Sequence, residues 1–490
     1  MNTFMNGLVN ETNFGLTENG AVKHNTTKSA VLDMFALCGA YRRRSEDDCI
    51  LAFKNAYEEN PMLALKCLFY LRDCRGGQGE RRFFRVCFRW LANNYPAAAE
   101  RNLINISEYG RWDDLIYTTV ETPIERKALA VIAKQLALDI ECKTPSLLAK
   151  WLPSENASSK ETKRVANIVR IGLGMTHKEY RQTLSELRTK INIVEKLMSQ
   201  NRWDEIEFDK IPSKAGLVYK NAFARRDLIA KKYEAFAKDE TKTVNASTLY
   251  PYDVAHKIFT DTYRHNVGHT DRLMVQKYWD ALPNYYSENE ENGLAIVDTS
   301  GSMSGQPLEA AVSLGAYIAE KAHGPFAGHF ITFSQRPELI KFEGVDITDK
   351  FMRARRASWE MNTDLRAVFN MLLKVAKRND TKAEDMPQRL YIFSDMEFDG
   401  CLNLGYNNTE GKINTLLEKI AKEWAAAGYE LPKVVFWNLD ARTQNIPALG
   451  GRFSYVSGLS PVMIETILSG KDGYDLMLAK LMSKRYEAVE

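Results

Sequence analysis

Apolar side chains recur at helical spacing through the first half of the chain. Between about residues 28 and 235 they fall at steps of three and four. Examples are Leu32, Phe35 and Ala36; Leu63, Leu65, Leu68 and Phe69; Phe84, Cys87, Phe88 and Leu91; and Leu184, Leu187, Ile191 and Val194. Turn formers separate the runs: Glu59-Asn60-Pro61, Gly76-Gly77-Gln78-Gly79, Asn93-Asn94-Tyr95-Pro96 and Pro153-Ser154. Helices joined by short turns, without β-rich runs, predict stacked helical hairpins of the solenoid kind. No repeat of fixed period stands out.

Beyond the polar stretch Ser287-Glu288-Asn289-Glu290 the pattern changes. Four short β-branched or aromatic runs appear: Leu294–Val297, His329–Phe333, Leu390–Phe393 and Val434–Trp437. The amphipathic segments Leu308–Lys321, Leu365–Lys377 and Ile413–Ala425 alternate with them. Apolar runs bounded by helices are the mark of buried parallel strands, so this half predicts a doubly wound, Rossmann-like α/β domain. Arg452–Ser457 is a weaker candidate for an edge strand, and the last thirty or so residues read as helical. The expected fold class is therefore α + α/β, with a helical domain over 1–288 and an α/β domain over 289–490.

Composition narrows the function classes. The chain has 490 residues, enough for two or three domains, with 45% hydrophobic and 26% charged residues, as in a soluble globular protein. A formal net charge of only +3 confines any nucleic-acid surface to a local basic patch. Seven scattered cysteines, none spaced as CxxC, argue against a disulfide framework or a zinc site and suit a reducing cytoplasm. The polar N-terminus lacks the features of a signal peptide, and no apolar run is long enough for a membrane span. The expected location is cytoplasmic.

The run Ala295-Ile296-Val297-Asp298-Thr299-Ser300-Gly301-Ser302-Met303-Ser304-Gly305 leaves a predicted strand and enters a glycine-rich turn before a helix. An acid followed by hydroxyls at alternate positions offers convergent oxygen ligands where open α/β sheets bind their ligands. Hard cations such as Mg²⁺ prefer such oxygens. Asn362-Thr363-Asp364 precedes an amphipathic segment, and Ser394-Asp395 ends another predicted strand. Together these residues resemble the metal-ion-dependent adhesion site of von Willebrand A domains. That resemblance implies that Asp298, Ser300, Ser302 and Thr363 hold Mg²⁺, or another divalent cation such as Mn²⁺ or Ca²⁺, with Asp395 acting through water. A partner's carboxylate would then complete the shell. Glu397 and Asp399 read as loop acids or as supports of the ligands. Ser300 has no histidine or lysine at a spacing that suggests a catalytic pair, and no HExxH spacing occurs, so an enzyme is not expected.

In the helical half, Arg72-Asp73-Cys74-Arg75-Gly76-Gly77-Gln78-Gly79 lacks the Gly-Lys-Ser/Thr ending of a phosphate loop and reads as a helix–turn–helix junction. Arg81, Arg85 and Arg89 fall at four-residue steps and predict a basic stripe opposite Phe84, Cys87, Phe88 and Leu91. Its functional reading is a phosphate-contacting ridge, its plainer one a solvated face. Further basic clusters are Arg42-Arg43-Arg44, Lys160 with Lys163 and Arg164, Arg225-Arg226 and Lys231-Lys232.

A string of motifs in order completes the reading: Thr17-Glu18-Asn19-Gly20-Ala21, Arg72–Arg82, Tyr109-Gly110-Arg111-Trp112-Asp113-Asp114-Leu115, Trp151-Leu152-Pro153-Ser154, Tyr180-Arg181 with Leu187-Arg188, Ile211-Pro212-Ser213, Asp298–Gly305, Phe393–Asp399 and Phe436-Trp437-Asn438. They resemble a family of Ro-like proteins with a C-terminal von Willebrand A domain, more distantly similar to the Ro (TROVE-domain) ribonucleoproteins. The resemblance implies HEAT-like helical hairpins arranged in a ring, and a scaffold that binds single-stranded or small structured RNA. Candidate RNA contacts are Arg72, Arg75, Arg81, Arg85, Arg89, Lys163 and Arg164. A metal-dependent protein-interaction module without RNA is the alternative, and a metal-dependent hydrolase the more remote one.

Overall fold

A computed structural model describes residues 13–191, 193–263, 267–286, 292–333, 336–355, 364–398 and 416–490. Helices dominate up to Asp280, and several begin where the sequence supplies a cap. Ser45 accepts from the Asp48 N–H while Asp48 bonds back to the Ser45 N–H, a reciprocal box that starts the helix Glu46–Glu59. Asn60 caps the helix Pro61–Arg72, whose first position holds a proline that has no N–H to leave unpaired. Ser159 and Thr176 cap Lys160–Gly172 and His177–Lys190 in the same way. The helix Arg81–Asn94 buries Phe83, Phe84, Cys87, Phe88 and Leu91, and this face packs on the helices Glu46–Glu59 and Trp112–Thr119.

The second half is built on a six-stranded mixed sheet. In chain order its strands are β3 (Gly293–Asp298), β4 (His329–Phe333), β5 (Glu338–Lys341), β6 (Arg389–Ser394), β7 (Lys433–Asn438) and β8 (Phe453–Ser457). Their spatial order is β5-β4-β3-β6-β7-β8, parallel except for β5, which runs antiparallel on β4. Both central strands, β3 and β6, are buried at every position, which is why they read as unbroken apolar runs. The helix Gln306–Lys321 lies across β3, β4 and β6. The predicted strands hold to within a residue or two.

Two elements were not legible. Strand β5 has three of its four residues exposed, so it carries no burial period. An antiparallel hairpin, β1 (Phe14–Leu16) and β2 (Val22–His24), lies in a stretch with few apolar residues. That hairpin takes its place from the distant sheet half, because His24 pairs in antiparallel fashion with Ile446. The helix Ala30–Leu37 packs on β8, and the Gly39 N–H donates to Ser457 Oγ at 3.0 Å. A Cβ at Gly39 would stand 2.6 Å from the Ser457 carbonyl oxygen, so this approach requires glycine.

The C-terminal segment returns the contact. Tyr486 is fully buried, stacks on Tyr109 with ring centroids 5.5 Å apart, and donates from its hydroxyl to Asp73 at 3.0 Å. Arg485 adds a hydrogen bond of 2.7 Å to the same carboxylate. Each half is thus clasped by a terminal segment attached to the other, and one buried apolar cluster runs through both. Among the described residues no helix is long and apolar enough to cross a membrane. The six described cysteines are free thiols.

Candidate functional site

Two polar sites stand out, an acidic crevice on the sheet and a basic cleft among the helices. The crevice follows from topology. From β3 the chain moves outward to β4 and β5, then crosses back to the other side of β3 as β6. Strand order therefore reverses between β3 and β6, and their carboxyl ends open into the crevice where such sheets bind ligands. Asp298 is the last residue of β3, and Asp395 directly follows β6.

Asp298 is completely buried. Its Oδ2 accepts from Ser394 Oγ at 2.5 Å and its Oδ1 from the Ser300 N–H at 2.9 Å. Ser300 Oγ and Ser302 Oγ lie 3.0 Å apart, and the Ser302 side chain hydrogen-bonds Asp395. Gly305, at φ +87°, turns the loop into the helix Gln306–Lys321 in a conformation that glycine adopts cheaply. Burial, then the charge of Asp395, push the Asp298 carboxyl up to about 7. Burial also raises Asp395, against the pull of the Ser302 hydrogen bond and of Arg442.

Four of the five expected metal ligands, Asp298, Ser300, Ser302 and Asp395, are therefore gathered in one place. Thr363 lies outside the described residues, as do Asn362 and Asp399. An oxygen-only set with two buried, mutually repelling carboxylates fits a hard divalent cation, which would relieve that repulsion. Among the described residues no group of three or more His, Cys, Asp or Glu forms a metal cluster, so the fit rests on two carboxylates and two hydroxyls. Glu397 is neither a solvated acid nor turned toward the ligands. It is buried and accepts from the Glu18 N–H at 2.7 Å and from the Thr443 hydroxyl at its other oxygen. Sequence reasoning missed Arg442, whose Nη2 lies 2.7 Å from Asp395 Oδ2, because the two stand 47 residues apart.

The basic cleft is about 820 Å³ in volume and is walled by Arg42, Arg72, Arg81, Arg82, Arg111, Lys150 and Lys214 against two carboxylates, Glu80 and Glu195. Trp151, Tyr219 and Tyr250 add aromatic surface. The glycine turn builds one wall. After the helix Pro61–Arg72 the N–H groups of Gln78, Gly79 and Glu80 donate back to the carbonyls of Tyr70, Asp73 and Leu71, which closes the helix end. A Cβ at Gly77 would lie 1.9 Å from the Tyr70 carbonyl oxygen, and Gly79 takes φ +64°. This confirms a helix–turn–helix junction. Arg111 stacks on the Trp151 ring with its guanidinium carbon 3.9 Å from the centroid. Arg81 has no carboxylate partner among the described residues. Desolvation, then the charges of Arg111 and Arg85, lower its pKa, against the pull of Asp113 and Asp114.

Of the seven candidate RNA contacts, only Arg72 and Arg81 line this cleft. Arg72 is a correction, since its side chain is buried and bonds Asp114 Oδ2 at 2.8 and 2.6 Å, which makes it a structural ion pair. Nor do Arg81, Arg85 and Arg89 act as one ridge. Arg85 is spent on Asp113 and Asp114, at 2.7 and 2.6 Å. Arg89 donates to the Tyr117 carbonyl and borders a separate shallow pocket. Arg75 caps the Glu108 carbonyl, Arg164 pairs with Glu121 and Glu161, and neither these nor Lys163 reach the cleft. Arg42 belongs to one of the basic clusters noted in the sequence; the residues overlooked for this role, Arg82, Arg111, Lys150 and Lys214, stand inside or beside the motifs that carried the resemblance.

Comparison with known proteins follows the same two-part division. Residues 292–487 match a domain of unknown function, DUF7788, and residues 17–123 and 144–287 match another, DUF2828. Protein L728 of Acanthamoeba polyphaga mimivirus, described as uncharacterized, is 30% identical over 507 residues, covering 94% of this chain and 85% of L728. The crystal structure of the Deinococcus radiodurans RO (RSR) protein matches with a TM-score of 0.50 at 12% identity, over 93% of this chain and 99% of that one. At such identity the likeness is one of fold. With the DUF2828 segments covering just over half of the chain, and the viral relative aligned over 94% of it, this chain belongs to the DUF2828 family.

Proposed function

We propose that this protein is a non-catalytic, Ro-like RNA-binding scaffold, a ring of HEAT-like hairpins joined to a von Willebrand A domain that holds Mg²⁺ or a similar divalent ion. The observation that carries the RNA reading is the cleft, where Arg42, Arg81, Arg82, Lys150 and Lys214 line the walls beside three aromatic rings, and Arg81 has no carboxylate partner among the described residues. Cations track a phosphate backbone, and aromatic faces stack its bases without regard to sequence. The Ro-like fold supports the reading. The test is binding of a fluorescent single-stranded RNA across a salt series. A log–log slope of roughly −2 to −3.5, from about three to five phosphate contacts at ~0.7 each, is expected. Absence of binding at low salt refutes it.

The crevice supports a second, compatible reading, metal-dependent capture of a protein carboxylate, through Asp298, Ser300, Ser302 and Asp395. It carries a pH prediction. Because Asp298 titrates higher folded than unfolded, its ionisation destabilises the native state as pH rises from about 4 to 7, and a bound cation reverses that loss. Millimolar Mg²⁺ or Mn²⁺ is therefore expected to raise the melting temperature more at pH 8 than at pH 5. In Asp298→Asn the metal-dependent increment should vanish; an equal increment at both pH values, or one that survives the substitution, counts against the site.

A further inference from the structure

Two of the motifs singled out in the sequence, Thr17-Glu18-Asn19-Gly20 and Asp395-Met396-Glu397-Phe398, turn out to be each other's partners. Thr17 Oγ1 donates to the Phe398 carbonyl at 2.7 Å, the Glu18 N–H to Glu397 Oε2 at 2.7 Å, and Asn19 Nδ2 to the Glu397 carbonyl at 2.6 Å. The hairpin turn between β1 and β2 is thereby held against the loop that carries Asp395. Arg442, from the loop after β7, joins the two. One of its nitrogens, Nη2, lies 2.7 Å from Asp395 Oδ2 and 3.2 Å from Glu18 Oε2. Its Nε is buried without a hydrogen-bond partner, and its backbone carbonyl is held by Arg44. The guanidinium is thus held through one nitrogen between two carboxylates, Asp395, which is buried, and Glu18, while its backbone is fixed by Arg44.

We propose that Arg442 is a resident cation that sets the affinity of the Asp298–Ser300–Ser302–Asp395 site for divalent ions, with Glu18 of the N-terminal turn as the counter-charge that tunes it. The proposal rests on the metal reading above. A divalent ion held by Asp395 sits beside a fixed positive charge, and that repulsion works against loading. At a separation of roughly 6 Å even water-like screening makes this about tenfold, the least effect expected beside buried carboxylates. Glu18, half exposed, draws part of the guanidinium charge away from Asp395 and offsets some of that penalty. The N-terminal turn, which stands 379 residues from the Glu397 it bonds, thus becomes part of the metal site's electrostatics. Anything that lifts the turn would weaken metal binding.

Titration of the full-length protein with Mn²⁺, read by electron paramagnetic resonance, tests this. Arg442→Gln should bind Mn²⁺ about tenfold more tightly than the parent, and Arg442→Lys should stay within about threefold of it. Glu18→Gln should weaken binding about two- to threefold in the parent and have little effect in Arg442→Gln, a cycle that isolates the pair. Equal or weaker binding by a folded Arg442→Gln, checked by its melting curve, overturns the proposal and makes Arg442 a positioning residue for Asp395. Asp298→Ala separates the two readings. If it binds as well as the parent, the ion is held elsewhere and the metal reading falls with the proposal. If Asp298→Ala abolishes binding while Arg442→Gln leaves it unchanged, the metal reading stands and only the role of Arg442 fails.

Discussion

Reversing three cleft charges together, Arg81→Glu, Lys150→Glu and Lys214→Glu, is expected to lower single-stranded RNA affinity by about 100-fold or more at moderate salt. All three side chains line the cleft. Two of them already hold carboxylate partners, Lys150 with Glu195 at 3.5 Å and Lys214 with Asp253 at 3.2 Å, and at least one member of each pair reaches solvent. Such pairs are weak in water, so a phosphate can replace the carboxylate at little cost. The loss should come with a salt slope shallower by roughly 2, since three phosphate contacts at about 0.7 each disappear. Reversal of Lys163 and Arg164, which lie away from the cleft, should leave both affinity and slope unchanged. Gel-shift or anisotropy titrations at several salt concentrations decide it. If the Lys163/Arg164 variant loses affinity and the cleft variant does not, RNA follows another face of the molecule.

The largest stability effect is expected from Asp114→Ala, a loss of about 3–5 kcal/mol in urea unfolding. Asp114 is fully buried and receives Arg72 on one oxygen and Arg85 on the other, at 2.6 Å each. It also accepts the Arg111 N–H at 2.9 Å, while Asp113 next door holds the Arg111 and Arg85 guanidinia. Removing the carboxylate leaves Arg72 as an uncompensated buried charge, which is why the cost exceeds that of an exposed pair. Burial alone would raise the Asp114 pKa, but Arg72 and then Arg85 outweigh it and hold the carboxyl below its usual range. The stability it contributes is therefore complete above the unfolded-state pKa and is lost as pH falls through the lower folded value. Asp114→Asn should remove that part of the acid sensitivity. Because Arg111 and the Gly76–Gly79 turn border the cleft, the same variant should also weaken RNA binding through misplaced walls.

The ion network explains what the Arg72–Arg82 and Tyr109–Leu115 motifs do. They are the two sides of one joint between helix pairs, with the C-terminal segment locked against it through Asp73, Arg485 and Tyr486. Arginines there are heavily used inside the protein, and only those facing outward from the joint, such as Arg81, keep charge for a ligand. A sequence reader counts both kinds alike.

What the sequence determined by itself was everything that depends on local period and on spacing within one element. Fully buried strands announce themselves as apolar runs, so β3, β6 and β7 were legible, and Asp298 with Ser300 and Ser302 could be placed at a strand end because all three belong to one turn. Asp395 followed because it too closes a strand. Tertiary structure decided whatever depends on partners distant in the chain. An arginine's charge is available or spent according to which carboxylate the fold brings to it, and Arg72 and Asp114 are 42 residues apart. The N-terminal hairpin owes its place to Ile446 and the loop around Glu397, and Arg442 meets Asp395 and Glu18 only where three segments converge. Helical spacing reports which face of an element is buried; it carries no record of what that face is buried against.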